Sequence, residues 1–477
     1  MTRRDFCSRV AATVAGTFLP GCLSVGAKRW YRGSLHTHTY WSDGRGFPED
    51  CVSAYKSLGY DFVAITDHNR IGTDPDCWRN VEPEDGPWPP CVNRRVFEHY
   101  VKTFAHAKTR LGPDGKTQVR LQPLDETIRQ FGEPGRFLVM KGVELTYMMD
   151  DGRNRTDVHM NCLNVPTVIP DAACDGLIAN RPGTSVGDVI ARCCAAYRES
   201  LVAAGNPPLL FMVNHPHWAA IDVSPEDFLS NPDVRFFEVC NNGADFELPP
   251  EIGDDGWYND RLWDAVNAVR ARRGEPLLYG TGSDDAHWYP GNGHDRKPHT
   301  SGTPGDAWVS VRADALTPES LFTAMDRGDF YASCGVDLED VRFDGQTLSV
   351  SVPAKPGVSY AVRFIVSKRD FSEKPVRTVE LQFPNGKNPK GRTRHLSFYG
   401  PEVGQVVKCV KGRPGEGVSA DCALGPDDLY VRARIESDEP AICTGHLHPR
   451  IRCAWTQPYA SRRKLPTDAK GVKCEKR

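Results

Sequence analysis

Over residues 30–332, short apolar runs alternate with longer stretches in which apolar residues return every three or four positions. The short runs predict strands and the longer ones helices, an alternation that favours parallel β/α architecture. The segment 48–58 predicts a helix: Pro48 suits a first turn, Val52, Tyr55 and Leu58 share one face, and Gly59 ends it. Further helices are predicted over 186–204 and through Tyr258, Leu262, Val266 and Val269 before Gly274. Strands are predicted over 60–69, 137–146, 157–165, 209–213, 234–242, 276–280 and 307–311; a helix begun by Thr317-Pro318 then leads to a strand over 330–333. The segment 71–121 breaks this rhythm with Pro, Gly, Trp and Cys, followed by a helix-like stretch at about 97–111. An insertion of that length suits a lid or a decoration. Past Gly335 the pattern changes to alternating residues, as over 347–352, 359–366, 406–410 and 429–435. It predicts a small antiparallel β domain, sandwich-like, over 337–461, with a basic tail over 462–477.

Polar residues crowd the ends of the predicted strands. The opening run closes on Leu35-His36-Thr37-His38, with Asp43-Gly44 just beyond. Alternate residues of a strand share a face, so the imidazoles of His36 and His38 can converge while Thr37 faces elsewhere. Asp285 and His287 repeat that spacing. With His68, Glu144, His159 and His215, also on predicted strands or at their ends, these make a set of nitrogen and oxygen donors. Such donors suit Zn, Mn or Fe better than Mg or Ca. The set is larger than the four to six ligands, roughly, that one ion takes, and fits about two or three ions with bridging carboxylates.

Composition narrows the function class. Hydrophobic content of 39%, charged content of 25% and a formal charge of -3 are those of a globular domain and argue against a dedicated nucleic-acid binder. The start of the chain reads as targeting. Arg3-Arg4 precede an apolar run over 10–19 that closes on Leu19-Pro20-Gly21-Cys22, so that 1–27 resembles a twin-arginine, lipoprotein-like export signal with Cys22 as the lipidated residue. Export across a bacterial inner membrane, to the periplasm or a membrane anchor, is the expected localisation. Sixteen cysteines, none spaced C-x-x-C, suit an oxidising compartment better than a zinc ribbon. Cys193-Cys194 are expected to be small core residues.

The order of motifs resembles the PHP family (polymerase and histidinol phosphatase domain). His-x-His with Ser-Asp-Gly, Thr-Asp-His-Asn, Gly-Val-Glu, a strand His, Asn-His-Pro and Gly-Ser-Asp-x-Ala-His follow one another across 28–336. The resemblance implies a distorted seven-stranded β/α barrel holding two or three divalent ions (Zn, Mn or Fe). Its ligands by matching position are His36, His38, Asp43, His68, Glu144, His159, His215, Asp285 and His287. In Ser283-Asp284-Asp285, Asp285 keeps the Asp-x-His spacing and Asp284 is left as a supporting partner. The implied activity is phosphoester hydrolysis by metal-activated water on a small phosphorylated substrate: a monoester, nucleotide or short oligonucleotide. Asp67 either orients a ligand or makes a structural hydrogen bond. Arg70 and His217 either meet the substrate as phosphate contact or proton donor, or serve the surface and packing. An amidohydrolase-like enzyme and a non-catalytic glycan-binding surface lipoprotein are the alternatives.

Overall fold

The protein is described by a computed structural model over residues 28–86, 91–150, 155–165, 185–202, 209–216, 223–243, 258–385, 388–443 and 451–460. The expected export signal with Cys22, the basic tail and His217 lie outside the described residues.

The chain opens with β1 (Arg29–Ser34), α1 (Pro48–Ser57) and β2 (Phe62–Ile65). The inserted segment supplies β3 (Trp78–Glu82), β4 (Val92–Asn93), α2 (Arg94–Thr103), β5 (Thr109–Leu111) and β6 (Thr117–Arg120). There follow α3 (Leu124–Phe131), β7 (Leu138–Asp150), β8 (Arg155–Leu163), α4 (Val186–Val202), β9 (Leu210–Val213), α5 (Pro225–Leu229) and β10 (Phe236–Asn241). This half ends with α6 (Tyr258–Arg273), β11 (Tyr279–Ser283), β12 (Trp308–Ala313), α7 (Pro318–Asp326) and β13 (Phe330–Ser333). Beyond it come β14 (Asp340–Phe343), β15 (Thr347–Val352), β16 (Tyr360–Lys368), β17 (Arg377–Asn385) and β18 (Asn388–Phe398). The last strands are β19 (Gln405–Lys411), β20 (Val418–Ala423), β21 (Asp428–Pro440), β22 (Ile451–Thr456) and β23 (Tyr459–Ala460).

These elements make a mixed α/β fold around one large sheet of 14 strands. In β2, Phe62 and Ala64 enter one core while Val63 and Ile65 enter another, which explains its unbroken apolar run. The second core is covered by α1, α3 and α4, including Cys193 and Cys194. Helix α1 starts where expected because Phe47 N–H donates to Asp50 Oδ2 at 2.9 Å and Pro48 opens the turn.

The parallel β/α architecture that the alternation favours is found only in part. Strands β1, β2 and β7 pair in parallel, as do β9, β10 and β11, but β8 runs antiparallel to both β7 and β9. Only four residues link β7 to β8, too few for a crossover helix. The sheet rolls until β11 lies against β12 and β13, and Thr37 bridges Ala286. Among the described residues no ladder joins β11 to them, and closure of the expected distorted seven-stranded barrel is not shown. The free edge of β13 is taken instead by β22, with Tyr331 opposite Thr456, and the sheet runs on through β21, β16 and β19.

After residue 337 the described residues form strands and no helix. β14, β15 and β20 make a second sheet whose Val341, Leu348 and Val350 pack against Val362, Phe364, Val431 and Ile435. The inserted segment is a small module rather than a loose loop, with β4, β3, β6 and β5 in one sheet. Its helix runs 94–103, not 97–111: Asn93 Oδ1 accepts from Arg95 N at 3.0 Å to start it, and 109–111 instead pairs with β6. The module grips the loop after His38. Tyr40, Trp41 and Phe47 share its core, Phe47 stacks on Tyr100 at 3.6 Å, and Trp41 Nε1 donates to Gln122 O. Among the described residues Cys51, Cys77, Cys91, Cys162, Cys194, Cys334, Cys409, Cys422 and Cys453 are free thiols.

Candidate metal centre

Each strand end delivers its polar residue to one side of the rolled sheet. His36 and His38 follow β1, and between them Thr37 turns away, its Oγ1 donating to Ala64 O at 2.8 Å. The loop then folds back on itself at Gly44, where a Cβ would lie 2.4 Å from the His38 carbonyl, so no larger residue fits. Asp67 fixes this loop from β2. It accepts from Thr39 N at 2.7 Å, Thr39 Oγ1 at 2.8 Å, Ser42 N at 3.0 Å and Ser42 Oγ at 2.6 Å. Asp67 therefore acts on His38 and Asp43 through the loop that carries them. His68 bridges Glu144 of β7, His159 lies in β8, and His215 follows β9. Asp285 follows β11 with φ +48°, a left-handed backbone whose strain is typical of functional positions.

All nine sequence-derived candidates come together. They fall into four overlapping groups whose donor atoms lie within 4.8 Å of one another. These are His38 with Asp43, His68 and His287; His36 with His38 and Glu144; His36 with His215 and Asp285; and His68 with Glu144 and His159. Glu144 sits at the middle. Its Oε1 accepts from His159 Nδ1 at 3.0 Å and Asn214 Nδ2 at 2.9 Å. Its Oε2 is buried and takes no hydrogen bond among the described residues, yet lies 3.2, 3.1 and 3.0 Å from nitrogens of His36, His38 and His68. Asp285 Oδ1 is orphaned in the same way, 3.3 Å from His36 Nε2 and 3.1 Å from His38 Nε2. His36 Nε2 and His38 Nε2 themselves face each other at 3.1 Å. Buried carboxylate oxygens without hydrogen bonds among converging imidazole nitrogens are a donor set that fits divalent metal binding.

Hydrogen bonds on the far side of each ring set which nitrogen faces inward. His287 Nδ1–H donates to the Asp285 carbonyl at 2.8 Å, an atom that can only accept, so Nε2 is left as a lone pair. Ser42 gives its proton to Asp67 and accepts from His38 Nδ1–H at 3.3 Å, with the same result for His38. His36 Nδ1–H donates to Glu238 Oε1 at 2.9 Å. Glu238, which sequence reasoning missed, is wholly buried in β10 and also accepts from His215 N and Asn241 Nδ2, both at 2.7 Å, and from Ser283 Oγ.

Burial opposes charge throughout the cluster, and the mixture of acids and imidazoles overrides it. His68, His36 and His159 hold Glu144 well below the usual carboxylate range, and His36, His38 and His287 do the same for Asp285. Asp43 is lowered chiefly by His287, then by His38 and His68. In return, Asp285, Glu144 and Glu238 lift His36 well above its ordinary value, Asp285 and Glu144 raise His38, and Asp43 leads in pushing His287 up to about 9. Protons and cations thus compete for the same lone pairs.

The remaining candidates separate. Asp284 turns away from the cluster: it accepts from Tyr55 OH and the backbone N–H groups of Gly305, Asp306 and Ala307, so it supports the following loop instead of a ligand. Arg70, two residues past His68, is exposed, and its backbone N–H donates to the Asp67 carbonyl at 3.3 Å.

No protein-family model matches the chain, and no curated protein matches it. Among solved structures it is similar to a two-domain protein of Bacteroides vulgatus containing a predicted PHP-like metal-dependent phosphoesterase. The identity is 13%, the match covers 91% of this chain and 95% of that one, and the TM-score is 0.37. It is also similar to a Bifidobacterium adolescentis protein assigned as a metal-dependent phosphoesterase, with 14% identity, 56% and 90% coverage and a TM-score of 0.26. An amidohydrolase of Chromobacterium violaceum matches at 15% identity, with 56% and 92% coverage and a TM-score of 0.27.

Proposed function

We propose that this chain is a metal-dependent phosphoesterase of the PHP type. His36, His38, Asp43, His68, Glu144, His159, His215, Asp285 and His287 would hold two or three Zn, Mn or Fe ions. One observation carries the reading: among the described residues Glu144 Oε2 and Asp285 Oδ1 are buried without hydrogen bonds, amid converging imidazole nitrogens. Bound metals supply neutralisation of the phosphoryl oxygens and acidification of the attacking water. The chain's own residues do the rest. Glu238, Ser42 and the Asp285 carbonyl hold His36, His38 and His287 with Nε2 inward, and Asp67 fixes the loop bearing Asp43. Asp43, with 38% of its side chain exposed, is the most open of the nine, so substrate enters on its side, past His68 and His287. Arg70 and His217, which lie beside ligand positions in the sequence, would meet the substrate as phosphate contact or proton donor. Segment 1–27 directs export, with a lipid on Cys22; cell fractionation checks this.

The test is a panel of phosphoesters and amides assayed with added Mn or Zn. Phosphoester turnover that a chelator removes, and that His38→Ala abolishes with the fold retained, is expected. Turnover of amides alone would reject the reading.

A further inference from the structure

The seam where the large sheet passes from β13 to β22 carries two cysteines. Along it Tyr331 faces Thr456, Ala332 faces Trp455 and Ser333 faces Ala454. The next step in that register sets Cys334 opposite Cys453, 119 positions away in the chain. The two touch through their backbones, Cys334 N–H donating to Cys453 O at 2.9 Å. The Cys334 side chain leans across the seam as well, and its sulfur accepts from Cys453 N at 3.3 Å. The Cys453 thiol donates a weak hydrogen bond to Ile451 O at 3.6 Å, which costs little to give up. Both residues are buried, in a core that also holds Trp263 of α6 and Trp455 of β22.

Opposite residues of an antiparallel pair have Cα atoms about 4.5–5.5 Å apart, inside the roughly 4.4–6.8 Å that a disulfide spans. The strands therefore already stand at bonding distance, and only side-chain rotation is needed to join the sulfurs. We propose that Cys334 and Cys453 form a disulfide that staples the metal-centre half of the chain to its C-terminal β half. Neither thiol is open to an oxidant once the sheet is built, so the bond forms as β22 docks on β13. The oxidant is a small-molecule or protein disulfide. One cysteine thiolate attacks it, making a mixed disulfide and expelling a thiolate; the second cysteine then attacks the first cysteine's sulfur and expels the other. The oxidant's S–S bond is exchanged for the protein's, and the two cysteine protons end on the two expelled thiols. Because the bond closes a long loop, it restricts the unfolded chain strongly, and burial then shields it from reductant. Cys240 of β10 shares the core and is the rival partner. Nothing in this depends on the phosphoesterase reading.

The test starts from reduced, unfolded full-length chain, refolded in glutathione with glutathione disulfide. The soluble refolded fraction is quenched in acid, digested with pepsin and mapped by mass spectrometry. The expected product is a linked peptide pair bearing Cys334 and Cys453, two hydrogens lighter than the separate peptides and split by reductant. In melting curves, reduction lowers the midpoint of the refolded chain by about 2–5 °C and leaves that of Cys453→Ala in place. Recovery of both cysteines as thiols, glutathione carried on either of them, or Cys334 linked to Cys240 overturns the proposal. So does a midpoint that reduction does not move in the chain containing both cysteines.

Discussion

Replacing Glu238 by Gln isolates the tautomer argument from the fold. The carboxylate accepts four hydrogen bonds, two at each oxygen: His36 Nδ1 and Ser283 Oγ at Oε1, His215 N and Asn241 Nδ2 at Oε2. A glutamine of the same shape must turn an NH2 toward one of these pairs. The backbone N–H of His215 cannot become an acceptor, whereas the Ser283 hydroxyl can rotate and His36 can change tautomer. The amide nitrogen therefore takes the Oε1 position, and His36 accepts at Nδ1 and carries its proton on Nε2, the atom 3.2 Å from Glu144 and 3.3 Å from Asp285. To bind a metal, His36 must then restore Nδ1–H against an N–H. The lost charged hydrogen bond costs about 1.5–3 kcal/mol, or roughly ten- to a hundredfold in metal affinity. Competition titration with a chromogenic chelator reads this directly, and denaturant melts of the metal-free protein report fold. Wild-type metal affinity in a folded Glu238→Gln protein would refute the assignment of Nε2 as the inward atom.

Two further outcomes follow from the same geometry. Because His36, His38 and His287 have raised pKa values in the fold, the last to about 9, their stabilisation of the metal-free protein is complete below the unfolded value of about 6.5 and is lost as pH climbs through the folded values. The melting temperature of chelator-treated protein should thus fall between about 6.5 and 9 while metal affinity rises; a flat profile contradicts it. Arg432→Met should destabilise by about 3–5 kcal/mol in denaturant titration, since buried Arg432 joins Asp264 at 2.6 and 2.8 Å and Asp260 at 2.8 Å, tying β21 to α6. Adding Asp260→Asn and Asp264→Asn should recover much of that, and a single-variant cost below about 1 kcal/mol would show the cluster to be solvated.

What was legible in the sequence was local. Alternation put Thr37 on the opposite side from His36 and His38, Pro48 and Gly59 bounded α1, and the strand at 330–333 fell where its apolar run lies. Periods of two and of about 3.6 residues are properties of a single segment, and a short stretch of chain carries them in full. The motif order also named nine donors that tertiary structure gathers, because a strand end is a position that local pattern can mark. Glu238 carried no such mark. It lies inside the apolar strand Phe236–Asn241, and the groups that give it meaning, His36 and His215, reach it only through folding. The same holds for the sheet continuing from β13 into β22 across the 117 residues (334–450) between them, and for the module that grips Tyr40 and Trp41. The sequence by itself determined most of the strands and helices outside the inserted segment and which side chains arrive at their ends. Only tertiary structure decided which edges pair and which buried acid meets which imidazole, because hydrogen bonds between distant segments depend on packing that no local period encodes.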